Sequence, residues 1–181
     1  MVSKILTTHV GSLPRSKQLS EYLFAKDKGE KIDNEKFENI LISNVDQIVK
    51  RQLEVGIDFI SDGEMSKISY ATYIKDRIDG FSGESERRAP ADLDDFPEYK
   101  EKIANSGGTP TYSRPCCTKE LKIKDENLLL NDINNFNKSL KKSNHTKAFM
   151  NAASPGVINV FMPNKYYKND EKYLNKLYSI M

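Results

Sequence analysis

From Glu35 to Glu54 the apolar residues Phe37, Ile40, Leu41, Val45, Ile48, Val49 and Leu53 recur at steps of three and four, the stripe of a helix with one buried face. Gly56 stands where a C-terminal cap belongs. The run that follows, Ile57-Asp58-Phe59-Ile60, is strand chemistry suited to burial on both faces, and it ends in Ser61-Asp62-Gly63-Glu64. A buried strand that ends in acidic residues around a glycine is how an α/β fold delivers carboxylates to its mouth.

The same reading extends over the chain. Lys4 to Val10 is rich in β-branched and apolar residues and predicts a first strand, broken by Gly11-Ser12-Leu13-Pro14-Arg15. Ser16 to Lys26 predicts a helix with Leu19, Tyr22 and Leu23 on one face. Strand, two helices and strand make a right-handed crossover between parallel neighbours. Met65 to Ile78 reads as partly helical, whereas residues 80–114 lose periodicity among scattered Gly and Pro and read as a long loop, an excursion or lid over the site. Pro115 to Lys124 predicts a third strand, Asp125 caps a helix carrying Leu129, Ile133, Phe136 and Leu140, and Lys147 to Ala152 predicts a fourth strand. Ser154-Pro155-Gly156 opens another helix, and Asn169 to Met181 is helical in pattern without a glycine cap, so the chain is expected to continue past Met181.

About four strand–helix alternations in one unit spanning residues 1–181 predict an α/β fold with a parallel sheet. Four βα units are half of a TIM (β/α)8 barrel, and an open doubly wound sheet is the alternative. A net charge of +2 from 28 basic and 26 acidic residues, scattered along the chain, gives no argument for nucleic acid. There is no apolar run near the roughly 18 residues of a membrane span and no signal-peptide pattern. The two cysteines, Cys116 and Cys117, are adjacent, which disfavours a structural disulfide between them and suits the reducing cytoplasm.

Asp62 and Glu64 are the first candidates for site chemistry, since Gly63 lets the chain turn while both carboxylates stay near one another; a solvated turn is the other reading. His9, three residues before Ser12, is a candidate catalytic residue or a satisfied core histidine. Arg15 either clamps a carboxylate or covers the surface. His145 reads as structural, and at least one of Cys116 and Cys117 reads as a small buried hydrophobe. His9, His145, Cys116 and Cys117 lack a metal-ligand spacing.

Thr7-Thr8-His9-Val10-Gly11-Ser12-Leu13-Pro14-Arg15 and Ser61-Asp62-Gly63-Glu64 resemble the catalytic barrel of cobalamin-independent methionine synthase, and in particular single-barrel methionine-synthase-like proteins. Asp95-Phe96-Pro97-Glu98, Pro115-Cys116-Cys117-Thr118, Ala152-Ala153-Ser154-Pro155-Gly156 and Asn164-Lys165-Tyr166-Tyr167 follow in that family's order. The resemblance implies the N-terminal half of a barrel whose mouth binds homocysteine, with Ser12 on the substrate carboxylate and Glu64 on its ammonium group. It implies a zinc-activated thiol as well, with the ligands expected beyond Met181 and none in residues 1–181. The chain has no tryptophan, and Cys117-Thr118 is followed by Lys119-Glu120 where folate-using relatives carry a Gly-Pro turn, so the methyl donor stays open between folate and corrinoid types.

The expected function is therefore methyl transfer to a zinc-activated thiol in methionine biosynthesis, with Ser12, Asp62, Glu64 and Arg15 around the substrate. The alternatives are a truncated, non-catalytic half-barrel that self-associates as a homo-oligomer, and another alkyl transferase or decarboxylase of the same barrel superfamily.

Overall fold

The computed structural model describes residues 4–85, 91–105 and 112–181. Helices α1 (Lys17–Asp27) and α2 (Asn34–Glu54) begin on side-chain caps: Ser16 accepts from the Leu19 amide and Asp33 from the Lys36 amide. Helix α2 ends with Gly56 at φ +82°, the left-handed position that glycine takes at no steric cost. It leads into a two-residue strand, β1 (Ile60–Ser61). The segment from Lys4 to Val10 runs alongside as expected but forms only a single parallel bridge, Thr8 to Phe59. Here the periodicity over-promised burial. Ile60 is fully buried, whereas Phe59, Ile5 and Val10 face solvent, Ile5 at 87% and Val10 at 68% exposure.

The larger correction concerns the run after Glu64. A 3-10 turn (Thr72–Asp76) leads into β2 (Ile78–Ser82), and β2 pairs antiparallel with β3 (Cys116–Ile123). Pro115 to Lys124 is thus a strand, but it belongs to a hairpin rather than to the parallel sheet. Alternation of apolar and charged residues along β3 reports a half-buried strand and cannot choose its partner. Gly80, at φ +109°, has the Leu121 side chain and the Glu120 and Lys119 carbonyls where a Cβ would sit, so the bulged hairpin closes around a glycine. Part of the predicted long loop is ordered: a second 3-10 turn spans Ala91–Asp95 and α3 spans Pro97–Asn105. Residues 86–90 and 106–111 of that stretch lie outside the described residues.

Helix α4 (Asn127–Lys142) follows, then β4 (Ala148–Phe149), which pairs parallel with β1 in the register Ile60 to Ala148 and Ser61 to Phe149. The cap position of α4 falls on Glu126, without a side-chain cap bond, rather than on the expected Asp125, one position earlier, which accepts from the Asn127 amide; α4 buries Phe136 and Leu140 while Leu129 is exposed. Helices α5 (Pro155–Phe161, capped by Ser154) and α6 (Asp170–Ile180, capped by Asn169) complete the chain. The parallel order across the sheet is therefore the Thr8 segment, β1, then β4.

Two apolar cores result. Leu19, Leu23, Leu41, Val45, Val49, Ile60, Met65 and Phe136 join α1, α2 and α4 to β1. Ile78, Cys117, Leu121, Ile158, Met162, Tyr173 and Leu177 join the hairpin to α5 and α6. The site lies where the parallel strands end.

Candidate functional site

The end of β1 is held from α2. Gln52, buried at a position that continues the Val45–Val49 stripe, donates to the Ser61 carbonyl at 2.8 Å and accepts from the Ser61 amide at 3.0 Å. This two-way amide clasp fixes where the strand stops and the acidic turn begins. A polar residue in the middle of an apolar stripe was the signal for it in the sequence.

Beyond Ser61 the chain turns through Gly63 at φ +63° and Glu64 at φ +56°. A left-handed conformation at a non-glycine residue costs about 1–2 kcal/mol, so something must hold it. Arg15 does so from the neighbouring segment. One of its terminal nitrogens donates to the carbonyls of Glu64 and Lys67, both at 2.7 Å, and its Nε reaches the Met65 carbonyl at 3.4 Å. The Leu13 amide donates to the Gly63 carbonyl at 3.0 Å and the Glu64 amide to Asp62 Oδ1 at 3.2 Å. Of the two readings of Arg15, clamp and surface cover, neither describes these partners: its donors go to main-chain carbonyls.

Fixed in this way, the Glu64 carboxylate is buried at 4% exposure and accepts from Ser12 Oγ at 2.5 Å. Ser12 and Glu64, 52 residues apart, thus meet at the ends of adjacent parallel segments. Asp62, also 4% exposed, has its carboxyl pushed above the usual carboxylate range by burial, with the Lys67 charge and the Glu64 amide opposing the shift. His9 lies one residue past the Thr8 bridge, and its Nε2 is buried with no hydrogen-bond partner among the described residues.

Lys67 is the residue that pattern reading missed. At 3% exposure, its Nζ donates to the Asn151 carbonyl at 2.5 Å and lies 4.8 Å from the centre of the Tyr73 ring. Burial lowers its pKa, and the charges of Asp62 and Glu64 oppose that shift. Arg77 stacks on the same ring at 4.9 Å and pairs with Asp132, which also accepts from Ser66. Three carboxylates (Asp62, Glu64 and Asp132) are thus set against three cations (Arg15, Lys67 and Arg77) in one largely buried polar unit. The spacing of a lysine three residues after Glu64 is a signal, but its target just past β4 is visible only in three dimensions.

The remaining candidates lie elsewhere. His145 Nε2 contacts the Lys147 carbonyl at 2.9 Å, two residues along the chain. Cys116 and Cys117 are free and buried in the hairpin, and burial pushes the Cys117 thiol up to about 11. A zinc-binding cysteine must be a thiolate. The described residues bring no three His, Cys, Asp or Glu side chains together in a way that could hold a metal, so the donors present do not fit zinc. Among the described residues, no helix is long and apolar enough to cross a membrane.

Residues 5–89 match the family model described as the catalytic domain of cobalamin-independent synthase. Over that stretch the chain is similar to this family. Ser12 and Glu64, which meet across the two segments, both fall inside the matched region. A methionine synthase from Sulfolobus acidocaldarius is 30% identical over 162 residues, which is 90% of this chain and 41% of that protein. A 5-methyltetrahydropteroyltriglutamate–homocysteine methyltransferase from Bifidobacterium longum subsp. infantis is 28% identical over 75 residues, 41% of this chain and 10% of that protein. The chain therefore spans less than half the length of the curated relatives it matches. Its fold is shared with a B12-independent methionine synthase from Shewanella sp. W3-18-1 in complex with selenomethionine: TM-score 0.65 and 17% identity, covering 96% of this chain and 45% of that one.

Proposed function

We propose that this chain supplies the substrate-orienting part of a cobalamin-independent, methionine-synthase-type methyltransferase, acting on a thiol amino acid such as homocysteine in the cytoplasm. The observation that carries the reading is the Ser12–Glu64 hydrogen bond at the ends of adjacent parallel segments. In a barrel, strand C-termini are where substrates bind. The three neighbouring segments at Thr8, Ile60–Ser61 and Ala148–Phe149 are read as successive strands of a (β/α)8 barrel, which makes this end the mouth.

Each residue then has a task. In the free chain Ser12 donates to Glu64. An incoming ammonium group takes the Ser12 place on the carboxylate, and the freed hydroxyl turns to the substrate carboxylate. Arg15 keeps Glu64 in its left-handed conformation, so that its carboxylate is aimed before the substrate arrives. The family's zinc would supply a thiolate at the substrate sulfur; the residues described here do not fit it, and no step of this proposal runs through it.

For the methyl donor, an aromatic–arginine cluster supports the folate type over the corrinoid type. Tyr70 meets Phe161 edge-on at 5.2 Å, and the Arg114 guanidinium lies 5.4 Å from the rings of both Phe161 and Tyr112. Arg114 and Phe161 line a cavity of about 710 Å³ together with Lys165. Stacking faces beside the Arg114 guanidinium suit a flat, anionic donor, so the absence of tryptophan does not leave the chain without a ring-binding surface.

The test is titration calorimetry with homocysteine. Glu64→Gln is expected to weaken binding roughly tenfold or more, since a charge-assisted contact is worth about 1.5–3 kcal/mol. Unchanged affinity in the variant would remove the assigned role. One observation favours a second reading, a self-associating half-barrel: Ile5 and Val10 lie exposed along an edge segment, as a strand awaiting a partner would. Light scattering separates the two, because that reading demands a dimer.

A further inference from the structure

Asn151 lies two residues past Phe149, the end of β4, as Gly63 lies two residues past Ser61, the residue of β1 that pairs with Phe149. Gly63 is joined on its other side to Leu13. Ser12 and Leu13, Gly63 and Glu64, and Asn151 therefore follow three strand ends that lie in a row. The sequence alone placed Asn151 inside a strand and attached no chemistry to it.

The Asn151 side-chain nitrogen is buried and has no hydrogen-bond partner among the described residues. Buried polar groups are nearly always paired, so an orphaned donor just past the strand end next to that of Glu64 calls for a partner that the described residues do not supply. Its backbone, by contrast, is held firmly. Lys67 donates to the Asn151 carbonyl, and the Ala153 amide donates to the Tyr73 hydroxyl at 3.4 Å. Lys67 also sets the sign of what can bind. A cation this close repels an ammonium group and favours an anion, whereas Glu64, one strand away, does the opposite.

We propose that Asn151 is a third ligand-contacting residue of the mouth, donating through its side-chain amide to the carboxylate of a bound amino acid, and that Lys67 is the positioning residue that holds it there. The proposal rests on the Ser12–Glu64 reading and orients the ligand along the row, ammonium on Glu64 and carboxylate toward Ser12 and Asn151.

The experiment compares two probes by titration calorimetry on the full chain: homocysteine, and 3-aminopropane-1-thiol, which lacks the carboxylate. Asn151→Ala is expected to weaken homocysteine roughly ten- to a hundredfold and to leave the carboxylate-free probe unchanged, whereas Glu64→Gln weakens both. Asn151→Asp keeps the size of the side chain and replaces the donor by a repelling acceptor, so it loses at least as much. Lys67→Met reproduces the loss, Lys67→Arg recovers most of it, and Lys67→Met adds nothing in an Asn151→Ala background. Homocysteine affinity within twofold of the wild type in Asn151→Ala, or equal loss of both probes, overturns the role of Asn151. Additive effects of the two substitutions overturn that of Lys67. A folded wild-type chain that binds no homocysteine overturns this proposal and the reading beneath it, whereas loss in Glu64→Gln with none in Asn151→Ala overturns this proposal alone.

Discussion

Replacing Arg15 by Met tests whether its side chain holds the acidic turn in place. The substitution keeps an apolar stem and removes the side-chain donors to the Glu64, Met65 and Lys67 carbonyls, leaving the Lys67 amide on the Glu64 carbonyl at 3.1 Å. Two of those bonds are 2.7 Å long, and a hydrogen bond from a charged donor contributes about 1.5–3 kcal/mol; the third, at 3.4 Å, lies at the limit of a useful bond and adds little. Against this stands the cost of burying the guanidinium, which is large enough to lower its pKa despite the nearby charges of Glu64 and Asp62. Partial solvent access reduces both terms. The net loss is about 2–4 kcal/mol, and for a chain of this size that lowers the melting temperature by roughly 5–15 °C. Circular dichroism melts and urea titrations read it directly. Arg15→Lys is expected to recover only part, since one ammonium cannot reproduce the planar fork across several carbonyls. Homocysteine binding should fall in parallel as Glu64 leaves its left-handed conformation. A variant that melts with the wild type yet loses homocysteine would refute this reasoning and return Arg15 to a direct contact with the substrate.

Two further outcomes follow from the same turn. At Gly63→Ala the new Cβ would sit 2.9 Å from Met65 Cε, 3.1 Å from Leu13 Cβ and 3.3 Å from Ile48 Cγ1, at φ +63°, so a loss of about 1–3 kcal/mol in urea unfolding is expected, along with weakened homocysteine binding as Leu13 and Ser12 are pushed aside. Asp62 is held above the ordinary carboxylate value of 3.8, so the folded chain keeps this proton to higher pH than the unfolded chain does, and the group withdraws stability as pH rises from about 3.8 through its folded value. Melting temperatures of Asp62→Asn and wild type, compared across that window, should diverge in favour of the variant as pH increases; curves that stay parallel would show that Asp62 titrates as in the unfolded chain.

Local patterns determined the helices and the acidic turn, because a helix face and its caps are written within a few residues. The stripe from Phe37 to Val49, the caps at Ser16, Asp33 and Ser154, and the left-handed Gly56 and Gly63 all follow from nearest-neighbour chemistry. Asp62 and Glu64 became candidates through their place in the turn, and Ser12 through motif resemblance. What the chain order could not decide was partnership. A strand's apolar and polar alternation is the same whether its neighbour runs parallel or antiparallel, so β3 was free to join β2 in a hairpin and leave β4 as the neighbour of β1. That choice brings Asn151, rather than a residue of Pro115 to Lys124, beside the acidic turn. It also turns Lys67 from one charged residue among many into a buried cation bridging two strand ends, and gives Gln52 a strand to clasp. Hydrogen bonds spanning nine, 52 and 84 residues exist only once the strands have chosen their neighbours, and the mouth is built from them.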